Sequence, residues 1–350
     1  MAEALAAPPA PAGGSGRGAR EPTHFAALDL GTNNCRLLIA APTGRGFRVV
    51  DAYSRIVRLG EGLSQSGRLS EPAMERALAA LRICAEKIRR RGPVRVRAIA
   101  TQACRSAANG REFLARVAEN TGMKLEVISP REEAQLSVAG CASLIDREAD
   151  AALVLDVGGG STELSWVDLR QARGPRPPRI KAWLSIPIGV VTLAERFPEG
   201  APAHEGWFRA MIEAVKAPLG AFPHAEPLRP LFEQGRAHLV GTSGAITSLA
   251  GLHLDLPRYD RAKVDGLWMS RADCDAVAER LAALTAGERA AQPCIGPDRA
   301  DLVLAGAAIL AAVQETWPCE RVRVADRGLR EGVLLSMMES RRRRRRRPRR

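Results

Sequence analysis

Two carboxylates bracket three glycines and two hydroxyls in Asp156-Val157-Gly158-Gly159-Gly160-Ser161-Thr162-Glu163. A glycine run lets backbone N–H groups approach an anion without side-chain bulk. Gly158, Gly159 and Gly160 therefore read as a nest for phosphate oxygens, with Ser161 and Thr162 adding hydroxyl donors. Acids beside such a nest repel the ligand unless a cation stands between them, which makes Asp156 and Glu163 candidate ligands for Mg²⁺, an ion that combines carboxylate, water and phosphate oxygens. The alternative is a glycine turn whose acids cap a helix or pair with arginine. Three other segments carry related chemistry. Gly31 and Thr32 open a small polar turn in GTNNCR. Thr101 and Arg105 follow a strand in ATQACRSAANG, where the guanidinium is expected to fork a phosphate, with a plain surface cation as the alternative. Gly241, Ser243 and Gly244, in GTSGAITSLAGL, combine a strand end, a glycine turn and a helix start, another anion site by the N–H and dipole argument.

These turns need strands and helices to hold them. FAALDLG (25–31), CRLLIA (35–40) and FRVVDAY (47–53) are short apolar runs separated by turn residues and predict a three-stranded meander. From Ser70, a candidate N-cap, Met74, Leu78, Leu81, Ala85 and Ile88 recur at helical spacing until Gly92 and Pro93. VRVRAIA (94–100) and KLEVIS (124–129) read as strands flanking a helix over about 110–120. A helix over 132–145 leads into the strand AALVLDV (151–157), and near the end VRVA (322–325) precedes a helix to about Met338.

The chain repeats itself. ALDLGTNNCRLLIA (27–40) set over VLDVGGGSTELSWV (154–167) aligns Asp29 with Asp156 and Gly31 with Gly158, each acid ending an apolar strand before a turn and a second strand. The expected fold is α/β, two duplicated units whose acidic turns face one another across a cleft, where ligands settle in such folds. The expected divisions are a disordered lead over 1–23, a first domain over 24–130 to which 322–338 returns, a second domain over 131–321, and a disordered arginine-rich tail over 341–350.

Composition narrows the classes. With 350 residues, 46% of them hydrophobic but only 4% aromatic, the cores must be built mainly from Ala, Leu, Val and Ile. The formal charge of +13 resembles a nucleic-acid signature, but nine arginines in the terminal run 341–350 account for nine of it, leaving +4. That run is expected to be a self-repelling tail, either simply solvated or in contact with polyanions. Seven cysteines show no CxxC pair and no zinc spacing with His, and read as small buried residues of a reducing compartment, hence a cytoplasmic protein. The lead has no apolar signal-peptide region, and no apolar run reaches the length of a membrane span.

In order along the chain, ALDLGTNNCRLLIA, ATQACRSAANG, EVISPREEAQLSVAG, LVLDVGGGSTEL, VGTSGAITSLAG, IGPDRADLVLAGAAIL and VRVADRGLREGVLL resemble the exopolyphosphatase and guanosine pentaphosphate phosphatase family, over about His24 to Met338. The resemblance implies two actin-like, ribonuclease H-like domains of the actin-like ATPase, sugar kinase and Hsp70 superfamily, in a short two-domain form without the extra helical region of longer members. It implies Mg²⁺-assisted hydrolysis of the terminal phosphoanhydride of inorganic polyphosphate or guanosine pentaphosphate by a water activated at Glu133, the second acid of the segment resembling SGxEEA, with Glu132 as the fallback. Pro130 stands where that segment usually has Gly. Further implied roles are metal binding at Asp156 and Glu163, with Asp29 acting through water; phosphate contacts from Asn33, Asn34, Arg36, Thr101, Arg105 and the Gly158–Ser161 backbone; and transition-state stabilisation by Arg36 or Arg105. A homodimer is an open expectation and a membrane partner is not expected. The competing readings are a kinase-type member that transfers phosphate to an acceptor, and a weakly catalytic sensor of guanosine polyphosphate or polyphosphate.

Overall fold

In the computed structural model the described residues are 23–44, 46–92, 94–170, 179–199, 206–222 and 226–346. The lead lies, but for Thr23, outside them. Eleven strands are formed among these residues. In the first half they are β1 (His24–Leu30), β2 (Asn34–Pro42), β3 (Phe47–Ile56), β4 (Val94–Ala100) and β5 (Glu126–Val127). In the second they are β6 (Ala151–Val157), β7 (Thr162–Asp168), β8 (Arg179–Ile186), β9 (Ala237–Thr242), β10 (Trp268–Ser270) and β11 (Arg321–Ala325). The expected strand over 124–129 shrinks to the two residues that pair with β4.

The duplication read from the sequence is a duplication of topology. One sheet has the order β3-β2-β1-β4-β5, and the other, β10-β11-β9-β6-β7-β8, repeats it when read from its far end, with β10 added at the edge. The meanders β1-β2-β3 and β6-β7-β8 are antiparallel, whereas β1 with β4 and β6 with β9 are parallel. Asp29 pairs with Arg36, and Asp156 with Glu163, at matching places in the two hairpins. Even the β-bulges correspond: they fall at Ile39/Ala40 and Trp166/Val167, at the same offset from the two aspartates.

Two helices tie the lobes together. The Pro130–Cys141 helix, N-capped by the Ser129 hydroxyl, puts Leu136 into the core on one face of the first sheet and Val138 and Cys141 into a core on the second. The Leu329–Arg346 helix packs along it and lays Val333, Leu334, Met337 and Met338 on the first sheet. The two helices touch backbone to backbone, because a Cβ at Gly140 would overlap the Gly328 carbonyl and one at Gly332 the Leu136 carbonyl. This close approach accounts for Gly140 and for the second glycine of DRGLREG, Gly332, whereas a Cβ at Gly328 would stand 3.0 Å from the Thr242 hydroxyl.

Three boundaries differ from expectation. Strand β11 does not return to the first domain: it pairs in parallel with β9 through Val322↔Leu239 and Val324↔Gly241, burying both valines, and only the helix after it crosses back. The helix expected over 132–145 runs from Pro130 to Cys141, followed by a 3₁₀ turn at Ala142–Leu144. Of the tail expected over 341–350, residues 341–346 continue the last helix and 347–350 lie outside the described residues. Arginine is a strong helix former, and cations at a helix C-terminus meet its negative dipole end. All seven cysteines are buried and free. No helix among the described residues is long and apolar enough to cross a membrane.

Candidate active site

The two acidic turns meet as the repeat requires. A cavity of about 480 Å³ lies between the lobes, lined from the first by Asp29, Gly31, Thr32, Asn33, Asn34, Arg36 and Thr101, and from the second by Asp156, Gly158, Gly159, Gly160, Ser161, Glu163, Ser243 and Gly244. None of Gly158, Gly159 and Gly160 has a positive φ, so backbone freedom is not why they are glycine. Close packing is. A Cβ at Gly159 would stand 3.0 Å from the Asn33 backbone nitrogen, and one at Gly160 would stand 2.8 Å from the Thr32 hydroxyl. The glycines let the two turns interlock at the floor of the cavity.

Glu133 enters from the Pro130–Cys141 helix, buried at 8% exposure, and the Arg105 guanidinium donates to its Oε2 at 3.2 Å. The same guanidinium donates to the Ile128 carbonyl at 2.7 Å and to the Gln102 side-chain oxygen at 2.7 Å, so Arg105 stands behind Glu133 and does not line the cavity. The sequence reading placed it on phosphate; in the structure three acceptors, the Ile128 carbonyl, the Gln102 side chain and the Glu133 carboxylate, hold the fork instead. One turn along the helix, Ser137 donates to Asp156, and Ser185 donates to Glu163 at 2.9 Å. Burial pushes the Glu133 carboxyl well above its ordinary range, helped by the negative Glu163 and opposed by Arg105. Glu163 is pushed up to about 7 by burial and then by Asp156. Asp29 rises to about 6 through burial, with Arg36 and Arg330 pulling the other way, and burial also raises Asp156. Four acids facing one space without enough countercharge are what such shifts report.

Neighbouring residues fare differently from one another. Glu132 points away from the cavity, where Arg97 donates to it at 2.6 Å; adjacent helical positions face about 100° apart, so only one of the two acids can look inward. Thr162 is fully buried and its hydroxyl donates to the Ile188 carbonyl at 2.7 Å, while Glu163 beside it turns to the cavity, as strand alternation demands. Gly241 is an interior residue of β9, paired with Leu155 and Val324, and lies off the cavity. Thr162, Glu132 and Gly241 are thus corrected as ligand contacts. Ser243 caps the Gly244–His253 helix at φ 114, a backbone region rarely entered by anything but glycine, and strain of this kind collects at functional sites. Arg36 reaches across from β2, since a Cβ at Gly244 would lie 3.1 Å from its Nη2.

Sequence reading missed Arg330, Gln102, Ser137 and Ser185. Arg330 lines the cavity beside Asp29, and burial depresses its pKa. For Ser137 a signal existed: it sits four residues after Glu133, on the same helical face.

Among the described residues no three His, Cys, Asp or Glu side chains form a ready-made metal cluster. The donor set nevertheless fits a hard cation, because Asp29 Oδ1, Asn33 Oδ1 and Asn34 Oδ1 are buried without hydrogen-bond partners. Magnesium needs only one or two carboxylates, the rest of its shell being water and phosphate oxygens.

A duplicated α/β fold that closes two acidic, small-residue turns and a helix N-terminus around one cavity defines an interlobe site of a kind that suits anions. The chain belongs to the Ppx/GppA phosphatase family, whose pattern it matches over residues 38–341. It is 32% identical to exopolyphosphatase 2 of Mycobacterium tuberculosis over 328 residues, covering 90% of this chain and 98% of that one. Among solved structures it resembles an exopolyphosphatase from Cytophaga hutchinsonii, with TM-score 0.79, 26% identity, and coverage of 91% and 98% of the two chains. It also resembles the Aquifex aeolicus Ppx/GppA family member, with TM-score 0.73, 28% identity, and the same coverages.

Proposed function

We propose that this protein removes terminal phosphates from inorganic polyphosphate by hydrolysing the phosphoanhydride bond. The observation that carries the reading is Glu133: a buried carboxylate gripped from behind by Arg105, opening onto a cavity between two small-residue turns. A carboxyl whose pKa is raised is a stronger base, and here it holds one oxygen on Arg105 while the other is free to orient a water and take its proton. Backbone N–H groups of Gly159–Ser161 and the hydroxyls of Thr32 and Thr101 receive the chain end, the Gly158 N–H being held by the Ser161 carbonyl at 2.9 Å. Arg36, reaching across the cleft, and Arg330 neutralise charge spreading over the phosphoryl oxygens. Asp156, Glu163 and Asp29 would hold Mg²⁺, which when bound neutralises phosphate charge as a Lewis acid. Ser137 and Ser185 orient two of those carboxylates.

Guanosine pentaphosphate is the second candidate substrate, because its triphosphate end offers the same terminal anhydride. The test is Mg²⁺-dependent phosphate release from long-chain polyphosphate and from guanosine pentaphosphate in parallel, with Glu133→Gln as control. Release lost by orders of magnitude in the variant, with substrate still bound, supports the reading. Retained turnover removes Glu133 from the role. Binding without release by the unaltered chain favours a sensor, and release that requires an acceptor favours a kinase.

A further inference from the structure

Arg289, on the Ala286–Ala291 helix of the second lobe, is buried at 1% exposure, a place arginine takes only when its donors are used. Its Nε donates to the Ala300 carbonyl at 3.2 Å, its Nη1 to the Leu281 carbonyl at 3.2 Å and to the Leu284 carbonyl, and its Nη2 to the Glu199 carboxylate. Leu281 and Leu284 close the Arg271–Ala283 helix, whose last carbonyls need donors from outside it. Those bonds alone would make Arg289 a brace of the second lobe, and an apolar side chain would brace it without the cost of desolvating a charge. The other two bonds lead to the cavity.

Ala300 stands between Arg299, which lines the cavity, and Asp301, whose carboxylate takes the Arg58 guanidinium from across the cleft; the same guanidinium donates to the Asp298 carbonyl at 3.2 Å. Glu199 follows the Val190–Arg196 helix. At the start of that helix the Val190 and Val191 N–H groups donate to the Gly158 and Gly159 carbonyls at 3.0 and 2.8 Å, and near its end Glu195 accepts from the Gly62 N–H and the Ser64 hydroxyl of the first lobe. Within the first lobe the Arg58 and Gly60 N–H groups donate to the Asn33 and Thr32 carbonyls at 3.0 and 2.9 Å. A ring of contacts thus runs around the mouth from one small-residue turn to the other. Arg289 closes its second-lobe half, tying the segment after the Val190–Arg196 helix to the one that carries Arg299 and Asp301.

We propose that Arg289 is a positioning residue for substrate capture: by holding Ala300 it fixes how Arg299 enters the cavity and where Asp301 meets Arg58. This rests on the hydrolase reading above. Glu133, Asp156 and Glu163 stand on the Pro130–Cys141 helix and on β6 and β7, to which Arg289 makes no hydrogen bond, so its loss weakens the hold on substrate and spares the hydrolytic step. Lysine cannot replace it, because a point charge lacks the planar fork that reaches several acceptors at once.

The test takes the full chain with Arg289→Lys, with Glu199→Ala, with Arg58→Ala, and with Arg289→Lys and Arg58→Ala together. Binding of labelled inorganic tripolyphosphate with Mg²⁺ is measured with Glu133→Gln added to each. Kd should rise about tenfold for Arg289→Lys and about threefold for Glu199→Ala, since small displacements of a positioning group carry large costs. Arg58→Ala, which weakens binding by itself, should cost less than about twofold once Arg289→Lys is present, because the segment it grips is already loose. In the proteins that keep Glu133, KM for polyphosphate should rise with Kd while kcat stays within about threefold. A merely structural Arg289 would lower the folded fraction, and so kcat, with Kd and KM unmoved; that result overturns the proposal, as does a fully additive effect of Arg58→Ala. If Arg289→Lys does not fold, Glu199→Ala decides, at a carboxylate 29% exposed, and an unchanged Kd there overturns the proposal. Absence of phosphate release by the unaltered chain would sink the hydrolase reading, while the binding comparison still decides the role of Arg289.

Discussion

Replacing Arg105 with Gln distinguishes two accounts of the site. If Arg105 were a phosphate contact, its loss would raise KM and leave the base intact. The geometry assigns it to Glu133, 3.2 Å from Oε2, with side-chain exposures of only 20% and 10% for the pair. At that distance and an effective dielectric constant of about 20 the attraction is roughly 5 kcal/mol before solvation is counted. Arg105 favours the charged carboxylate, so removing it raises the Glu133 pKa further, and the acid limb of the kcat/KM profile should move to higher pH by about one unit or more. The variant would be most impaired at the acid end of the profile and recover partly towards its alkaline end. With the carboxylate also freed to rotate, kcat at neutral pH should fall about 10²-fold while KM stays within about threefold, and Arg105→Lys should restore part of it. The assay is phosphate release from polyphosphate across pH. A tenfold rise in KM with kcat and the acid limb unchanged would refute the reasoning and return Arg105 to the phosphate.

Three further outcomes are expected. The raised pKa of Asp29 means that the folded protein holds a proton up to about pH 6 while the unfolded chain releases it near 3.8, so the destabilisation is absent below 3.8 and complete above 6. Asp29→Asn should therefore stabilise the metal-free protein by about 1–3 kcal/mol at pH 8 and by little at pH 4, read from denaturant unfolding; an equal effect at both would contradict the origin given. Gly332→Ala, which forces a methyl onto the Leu136 carbonyl, should cost about 3 kcal/mol or more, whereas Gly46→Ala, with open space around it, should be near neutral in the same unfolding measurement. Across the mouth of the cleft, Arg58 at φ 46 donates to both oxygens of Asp301 at 3.0 and 3.1 Å, and the Gly62 N–H donates to Glu195 at 2.8 Å. Since the Arg58 pair is partly exposed, Arg58→Ala should change stability by no more than about 1 kcal/mol while enlarging the radius of gyration in X-ray scattering; an unchanged radius would show that these contacts do not hold the lobes together.

The sequence by itself determined what is local. Apolar runs ended by glycine placed β1, β6 and β9, helical spacing after Ser70 placed a helix whose cap does accept from Ala73, and the aligned Asp29 and Asp156 turns announced a duplication that the two sheets repeat down to their bulges. Strand alternation, applied more strictly, would have turned Glu163 inward and Thr162 away. Only the tertiary structure decided which of two adjacent glutamates faces the cavity, because that depends on the rotation of the Pro130–Cys141 helix against both sheets. It alone showed that Arg105 is already occupied by Glu133, Gln102 and Ile128, that Arg330 arrives from the far end of the chain, and that Gly159 is small because Asn33 stands against it. Periodicity and turn chemistry are properties of neighbours along the chain, whereas the partner of a buried charge and the clearance above a glycine are set by residues from other elements, 28 positions away for Arg105 and Glu133 and more than a hundred for Gly159 and Asn33, which meet only in the folded chain.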